Sequence, residues 1–360
     1  MDCGTWERRL YDGEPYISGE QPDAEVLTKL NSNENPYPPS AAVLAAIAGF
    51  DGGQLRLYPR SDGGTLRAAL ADLHGVPRER VFVGNGSDEV LALAFRACFG
   101  GEGGILFPDI TYSFYPVWCD FFGIGFETRP LDGAYRINAD DYAGEKRGVV
   151  IANPNAPTGI GEGEGFIKKI MEASPGCVVI VDEAYADFSE YSAVPLVDRY
   201  PNLLVTRTFS KSRSLAGMRI GYAVGSPRTI EALKAAKDSF NSYPIDSVAI
   251  AAGVAALGDS GYYSDRIGEL KQTRDLSVEK LSRLGFKVLP SQANFIMVSP
   301  PAGSAEGLFL HLREKRIFVR YFAGERLKDF LRITIGTPEQ MDALISEAEG
   351  YVSGGRSAGT

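Results

Sequence analysis

The 360-residue sequence predicts an α/β protein with a mostly parallel sheet. Between about residues 65 and 235, short β-branched runs alternate with amphipathic segments, which is typical of βαβ units. After about residue 258 the pattern changes to one typical of an α+β domain. The apolar fraction of 44% and the charged fraction of 23% are those of an ordinary globular chain. We therefore predict a large domain with a mostly parallel sheet flanked by helices, plus a smaller α+β domain.

The elements of the large domain follow from this alternation. We predict strands at 80–83, 104–107, 148–152, 178–181, 203–206 and 220–224, and helices at 88–99, 165–173 and 227–240. An amphipathic segment at 262–284 predicts a long connecting helix. Strands follow at 288–289, 295–298, 317–319 and 331–335, with helices between them. The predicted boundaries are 46–257 for the large domain and 1–45 with 258–360 for the small domain.

Charge and composition exclude several classes of function. The formal net charge of -9 disfavours nucleic acid or an anionic membrane as the main partner. The four cysteines have no metal-site spacing, and the two histidines lie far apart in segments that read as helical. A metal site and a Ser-His-Asp triad are therefore disfavoured. The first ten residues lack the apolar core of a signal peptide, so we expect a cytoplasmic protein.

The segment 84–89, Gly-Asn-Gly-Ser-Asp-Glu, follows a predicted strand and opens a helix. Unpaired amides and the helix dipole make such a turn a good phosphate site. The third glycine of the dinucleotide-binding fingerprint would fall at Glu89, so a nicotinamide cofactor is disfavoured. A simple helix cap at Ser87 or Asp88 would explain the segment equally well.

Other predicted strand ends also carry unusual residues. Asp182 follows a buried run, where a carboxylate needs a partner such as a cation, a pyridinium nitrogen or an arginine. Lys211 follows the next strand and could serve as a Schiff-base nucleophile, although a lone lysine is usually a surface charge. Arg219 comes shortly afterwards, and a stiff Asn-Pro loop occupies 153–159, for which turn chemistry is a sufficient explanation. Together these residues form the set that pyridoxal phosphate requires.

Taken in order, these motifs resemble those of fold type I aminotransferases, which use pyridoxal phosphate, and within them the histidinol-phosphate aminotransferases. The resemblance covers nearly the whole length. Each matching segment is short, and their joint order is specific. The segments lie at 30–37, 58–59, 86–89, 153–159, 182–185, 210–211, 215–221 and 331–337.

The resemblance implies the catalytic and cofactor-binding residues. Lys211 would hold pyridoxal phosphate as a Schiff base and then move the proton at the substrate α-carbon. Asp182 would keep the ring nitrogen protonated, and Tyr185 would hydrogen-bond the ring hydroxyl. Tyr112 would stack on the ring, with core packing as the alternative. The residues implied to bind the phosphate are Gly86, Ser87, Asp88, Ser210 and Arg219.

One position departs from the family pattern. Relatives usually carry asparagine directly before Pro-Thr-Gly, bonded to the ring hydroxyl, whereas this chain has Ala156. Asn155, one position earlier, would take that contact through a shifted loop, or Tyr185 would suffice. Tyr58 resembles the residue that reaches the cofactor phosphate of the neighbouring subunit, which implies a homodimer.

The resemblance also implies the substrate pocket. Arg332 matches the arginine that binds the α-carboxylate, and Arg320 resembles a second anion-binding arginine, with a surface salt bridge as the alternative for Arg320. Tyr16 and Asn33 would close over the pocket. The implied reaction is transamination between L-histidinol phosphate and 2-oxoglutarate or glutamate.

Three alternative functions are compatible with the same cofactor residues or with the same fold. An aromatic amino-acid aminotransferase and a threonine-phosphate decarboxylase would share the cofactor site, and a non-enzymatic cofactor-holding regulator would share the fold. The regulator lacks support because no basic or DNA-binding segment is appended. A phosphate-binding protein without chemistry is a further alternative.

Overall fold

The computed structural model describes residues 10–17, 19–22, 28–100, 103–143 and 147–357. The strands are β1 (Thr28–Lys29), β2 (Val81–Asn85), β3 (Ile105–Pro108), β4 (Phe126–Arg129), β5 (Gly148–Ala152), β6 (Val179–Asp182), β7 (Leu203–Thr208), β8 (Ile220–Gly225), β9 (Lys287–Val288), β10 (Phe295–Ser299), β11 (Ile317–Phe318), β12 (Arg320–Tyr321) and β13 (Leu331–Thr334). The α-helices are α1 (Ala41–Ala48), α2 (Gly64–His74), α3 (Gly86–Cys98), α4 (Phe114–Phe122), α5 (Glu164–Ala173), α6 (Pro227–Phe240), α7 (Ser247–Gly258), α8 (Ser260–Arg283), α9 (Ala305–Glu314) and α10 (Pro338–Ser357).

The large domain is built on a seven-stranded sheet of order β2-β8-β7-β6-β5-β3-β4. Every neighbouring pair is parallel except the two that involve β8, which runs antiparallel to β2 and β7. Strands β3, β5, β6 and β8 are buried along their whole length, because helices cover both faces. The predicted mostly parallel sheet is confirmed.

The predicted large-domain elements match the structure closely where the sequence signal was periodic. Strand β5 and helix α6 begin and end where predicted, and the other predicted strands shift by one or a few residues. Strand β4 was not predicted because it is a polar, mostly exposed edge strand. Helix α4 was not predicted because it is aromatic-rich and contains a proline. Helix α7 is apolar on all sides, so it lacks an amphipathic period.

The smaller domain has a four-stranded antiparallel sheet of order β12-β13-β10-β9, and β1 pairs in parallel with β11. The predicted long helix is α8, which runs between the two cores. Tyr263 in its first turn packs in the core of the large sheet, whereas Leu270 and Leu281 pack in the small-domain core. Leu30 also packs in the small-domain core, while helix α1 packs on α7. The described residues 28–48 therefore contact both domains.

Among the described residues, none of the helices combines the length and apolarity that a membrane span needs. Within the same ranges, no cluster of three or more His, Cys, Asp or Glu residues is placed to ligate a metal ion. Cys98 and Cys119 are free thiols. Cys3 lies outside the described residues.

Candidate active site

A cavity of about 480 Å³ lies at the carboxyl ends of the central strands, where the small domain faces the large sheet. In an α/β sheet this edge is where ligands bind, because the loops after neighbouring parallel strands converge there. Most of the residues singled out in the sequence line this cavity. They are Tyr16, Asn33, Ser87, Asp88, Tyr112, Asp182, Tyr185, Ser210, Lys211, Arg219, Arg320 and Arg332.

One end of the cavity is formed by the turn between β2 and α3. Gly86 has φ +77°, and a Cβ there would lie 2.5 Å from Nη2 of Arg219. Gly221 on β8 packs so closely on this turn that a Cβ would lie 2.4 Å from the Ser87 amide nitrogen. The side chain of Asn85 does not cap the helix, so the first-turn amides face the cavity end without a side-chain acceptor. This geometry suits an anion bound closely to backbone.

At this end of the cavity, the carboxylate of Asp88 accepts hydrogen bonds from both Arg219 and Tyr112. Arg219 Nη2 donates to Asp88 Oδ2 over 3.0 Å, and the Tyr112 hydroxyl donates to Asp88 Oδ1 over 2.8 Å. Arg219 itself adopts the left-handed conformation, φ 52°, which non-glycine residues rarely take. Ser210 is buried beside this end, and its hydroxyl accepts from Thr208 Oγ1 over 2.9 Å. The carboxylate of Asp88 thus orients the side chains of Arg219 and Tyr112, which both line the cavity.

Lys211 lies in the middle of the site. Its Nζ donates to the carbonyl oxygen of Ser32 over 3.1 Å. Burial lowers the pKa of Lys211 to about 8, and the nearby charge of Arg332 acts in the same direction. A larger fraction of this amine is therefore neutral near physiological pH than for an exposed lysine. A neutral amine is the nucleophilic form.

Asp182 ends β6 and is only 4% exposed. Burial raises the pKa of Asp182 to about 6, while hydrogen bonds from Tyr115, Thr206 and the Ala184 amide oppose that rise. The Tyr115 hydroxyl lies 2.8 Å from Oδ2, and Thr206 Oγ1 lies 3.4 Å from Oδ1. No described cationic side chain forms an ion pair with Asp182, so this cavity-lining carboxylate is ready to accept a cationic partner.

Tyr185 is buried on the wall beside Asp182, and its hydroxyl accepts a hydrogen bond from Asn33 Nδ2 over 2.9 Å. Its own proton thus remains available for a partner in the cavity. Asn33 is fixed in turn by Thr334, whose hydroxyl donates to Asn33 Oδ1 over 3.1 Å. Asn33 therefore serves as the link between the small-domain sheet and Tyr185.

The other end of the cavity is cationic. Arg332 donates from Nη2 to the Asn31 carbonyl oxygen over 2.9 Å, and its buried Nε has no hydrogen-bond partner. Burial lowers the pKa of Arg332 from its usual value, and no described carboxylate forms an ion pair with it. Arg320 donates from Nη2 to the Ile17 carbonyl oxygen over 3.2 Å. A buried guanidinium with an unused N–H is a binding site for a carboxylate or phosphate.

The N-terminal segment 10–17 crosses the mouth of the cavity. Tyr16 stacks on Phe114 of α4 with ring centroids 4.2 Å apart, and Tyr11 packs edge-on against Phe121. Ile17 contacts Arg320 of the small domain through its carbonyl oxygen. The segment thereby bridges the two domains over the site.

Asn155 and Tyr58, which were predicted to bind the cofactor, are not among the residues that line the cavity. Asn155 is buried, and its amide group is used within the protein: Oδ1 accepts from Thr111, and Nδ2 donates to the Ile110 carbonyl oxygen. Ala156 takes the place on the cavity wall. Tyr58 is 82% exposed and stacks on Tyr243 at 4.6 Å, outside the cavity of its own chain.

The structure adds residues that the sequence did not indicate. Tyr115 is the hydrogen-bond donor to Asp182, although the two residues are 67 positions apart. Glu34 lines the cavity and pairs with Lys29 at 2.5 Å. The motif around residue 33 signalled this segment, but nothing local signalled Tyr115.

These groups fit pyridoxal phosphate. The glycine-lined turn with Arg219 matches its phosphate, the unpaired Asp182 matches its ring nitrogen, and the buried Lys211 matches its aldehyde. The fold and site therefore define an aminotransferase of the pyridoxal-phosphate-dependent type. The model of the family described as aminotransferase class I and II matches residues 25–347, so the chain belongs to that family.

Curated relatives narrow the comparison. The chain is 50% identical over 340 residues to a histidinol-phosphate aminotransferase of Pseudomonas syringae pv. syringae. The aligned region covers 94% of this chain and 97% of the relative. It is 52% identical over 332 residues to histidinol-phosphate aminotransferase 2 of Thiobacillus denitrificans. This alignment covers 92% of this chain and 93% of that relative.

Solved structures agree on the fold. Histidinol-phosphate aminotransferase from Sinorhizobium meliloti, in complex with pyridoxal-5'-phosphate, has a TM-score of 0.82 at 24% identity, with 91% of each chain covered. L-threonine-O-3-phosphate decarboxylase from Porphyromonas gingivalis has a TM-score of 0.79 at 20% identity, covering 91% of this chain and 100% of its own. Both similarities establish fold type I and leave the reaction open.

Proposed function

We propose that this protein transfers the amino group between L-histidinol phosphate and 2-oxoglutarate, forming glutamate, with pyridoxal phosphate as cofactor. The observation that carries the proposal is the cavity itself, in which a buried lysine of lowered pKa and an unpaired buried carboxylate lie between two cationic ends. The curated relatives named for this activity, at about half identity over nearly the whole chain, support the choice of substrate.

The residues that would hold the cofactor occupy three places. The α3 amides with Ser210 and Arg219 would bind its phosphate, and Tyr112 would pack on its ring. Asp182 would bind the ring nitrogen and Tyr185 the ring hydroxyl. When bound, pyridoxal phosphate supplies an aldehyde that bonds to amines and a ring that accepts electrons.

The protein's own groups then carry the proton. Lys211 Nζ would hold the cofactor aldehyde, and the same amine, when free, would accept the proton from the substrate α-carbon. Its lowered pKa increases the fraction of that amine that is neutral and able to accept a proton. The hydroxyl of Tyr185 would stabilise negative charge on the ring oxygen, and the carboxylate of Asp182 would stabilise positive charge on the ring nitrogen. Electrostatic stabilisation by such fixed groups is usually the largest single contribution to catalysis.

The cationic end would select the substrate. Histidinol phosphate carries a phosphate where glutamate carries a carboxylate, so one anion pocket must accept both groups. Arg332, with its unpartnered Nε, and Arg320 supply guanidinium groups of the required kind. Tyr16 and the segment 10–17 would cover the bound substrate and exclude water.

The remaining parts of the proposal concern assembly. We divide the chain into a large domain, 46–257, and a small domain, 1–45 with 258–360, with the cavity between them. We propose a homodimer in which Tyr58 completes the neighbouring site, which its exposure on its own chain favours. The free thiols Cys98 and Cys119 suit the reducing cytoplasm.

A steady-state assay tests the proposed substrate. Glutamate formation from 2-oxoglutarate should be much faster with histidinol phosphate than with histidinol, which lacks the phosphate. Arg320→Gln should narrow that difference by about tenfold, because one charge-assisted hydrogen bond to the phosphate is lost. Equal turnover of both donors by the wild-type protein would contradict the proposed substrate and leave the cofactor chemistry intact.

A further inference from the structure

The hydroxyl of Tyr115 is directed at the buried carboxylate of Asp182. Tyr115 lies in the first turn of α4, is fully buried, and donates to Asp182 Oδ2 over 2.8 Å. Its ring is packed between Phe95, Phe107 and Trp118, with centroids 5.8, 5.7 and 6.2 Å away. The ring therefore has little freedom, and its hydroxyl is held in one place.

A buried tyrosine in this chain does not need such a partner. Tyr142 is 1% exposed in the other core of the large domain, and its hydroxyl has no hydrogen-bond partner. The contact of Tyr115 with Asp182 is thus not a general consequence of burying tyrosines. It is a specific placement against a carboxylate that lines the cavity.

The surroundings of Asp182 disfavour its ionised form. It is buried, and the negative charge of Asp88 also disfavours its anion. The titratable groups around it are Tyr115 on α4, Asp88 on α3 and Tyr185 on the loop that follows β6. Of these only Tyr115 donates a hydrogen bond to it, and the further donors are the Thr206 hydroxyl and the Ala184 amide. A donor to the charged form of a carboxylate favours that form.

We propose that Tyr115 is a positioning residue for the cofactor, because its hydroxyl fixes Asp182 as an oriented anion facing the ring nitrogen. This inference rests on the proposed function, in which Asp182 binds that nitrogen. Tyr115 itself does not line the cavity and touches neither substrate nor cofactor. It acts only through Asp182.

The test compares the affinity of the apoenzyme for two cofactors. Pyridoxal phosphate is titrated alongside 1-deazapyridoxal phosphate, in which carbon replaces the ring nitrogen and leaves Asp182 nothing to bind. Tyr115→Phe keeps the packed ring and removes only the hydroxyl. We expect its affinity for pyridoxal phosphate to fall about tenfold, the lower range for a hydrogen bond to a charged group, with its affinity for the deaza compound unchanged.

Tyr142→Phe is the matched control, since it removes a buried hydroxyl that has no partner. It should bind both cofactors as the wild-type protein does. Thr206→Val removes the weaker donor to Asp182 at 3.4 Å and should lower pyridoxal-phosphate affinity in the same direction by a smaller factor. This second variant gives a result even where Tyr115→Phe folds poorly.

Three results would overturn the inference. Equal losses of affinity for both cofactors in Tyr115→Phe would mean that Tyr115 only supports packing, and so would no loss for either. A wild-type protein that binds both cofactors equally well would instead refute the assignment of Asp182 in the proposed function, and the role of Tyr115 with it.

Discussion

Lys211 is the residue on which the proposed chemistry depends, and its surroundings make its amine neutral more often than that of an exposed lysine. Burial and Arg332 lower the pKa of Lys211 from 10.5 to about 8. Since only the neutral amine attacks an aldehyde, the rate at which the apoenzyme captures pyridoxal phosphate should rise with pH and level off above about 8. Stopped-flow absorption at a series of pH values measures this profile.

The Arg332→Gln variant tests whether the charge of Arg332 helps to lower the pKa of Lys211. Arg332→Gln removes a positive charge that destabilises the ammonium form of Lys211, so the midpoint of the profile should move to higher pH. A wild-type midpoint near 10.5 would show that Lys211 behaves as an exposed lysine and would contradict the account.

Asn155 offers a second prediction at the scale of one residue. Its buried amide bonds to Thr111 and to the Ile110 carbonyl oxygen, so Asn155→Ala leaves several buried groups unpaired. We expect the free energy of unfolding to fall by roughly 1–3 kcal/mol, with the absorption spectrum of the bound cofactor unchanged. Denaturant titration and spectroscopy measure the two quantities. Lost cofactor affinity at unchanged stability would instead support the direct contact predicted from the sequence.

The turn between β2 and α3 shows how one element forms a binding site from backbone. Gly86→Ala would place a Cβ 2.5 Å from Arg219 Nη2, at a φ of +77° that disfavours side chains. The guanidinium is flexible, so it should move away, which weakens cofactor binding by about tenfold through the loss of a charge-assisted hydrogen bond. Titration of the apoenzyme with pyridoxal phosphate measures this loss.

Gly217→Ala, which lies before β8, is the control, because apart from its chain neighbours no heavy atom lies within 4 Å of the position of its Cβ. Its cofactor affinity should match that of the wild-type protein. A Gly86→Ala variant with unimpaired affinity would argue against the phosphate site at this turn.

At the same scale, the elements with strong local patterns were predictable from the sequence and their mutual contacts were not. Strand β5 is a short continuous apolar run and helix α6 is an amphipathic segment, so their bounds were predicted without error. The pairs Asn33–Tyr185 and Tyr115–Asp182 are separated by 152 and 67 residues and exist only through the packing of distant elements. Residue identities at strand ends thus predicted many of the residues that line the cavity, whereas the residues that orient Asp182 and Tyr185 required the three-dimensional structure.

At the scale of the whole molecule, the exposed Tyr58 predicts that each site needs two chains. Lys211→Ala and Tyr58→Phe homodimers should both be impaired. After mixing and subunit exchange, a hybrid dimer has one site with intact Lys211 and intact Tyr58, so about a quarter of wild-type activity should appear. Activity that never exceeds the mean of the two variants would contradict a shared site.

The most direct test of the central claim is the absorption spectrum of the holoenzyme mixed with histidinol phosphate in the absence of any keto acid. Phenylalanine and phosphothreonine serve as parallel donors, and Lys211→Ala serves as the inactive control. The account predicts rapid loss of the yellow band with histidinol phosphate, slower change with the other donors, and no turnover by the variant. Faster reaction of phenylalanine, release of carbon dioxide from phosphothreonine, or full activity of Lys211→Ala would contradict it.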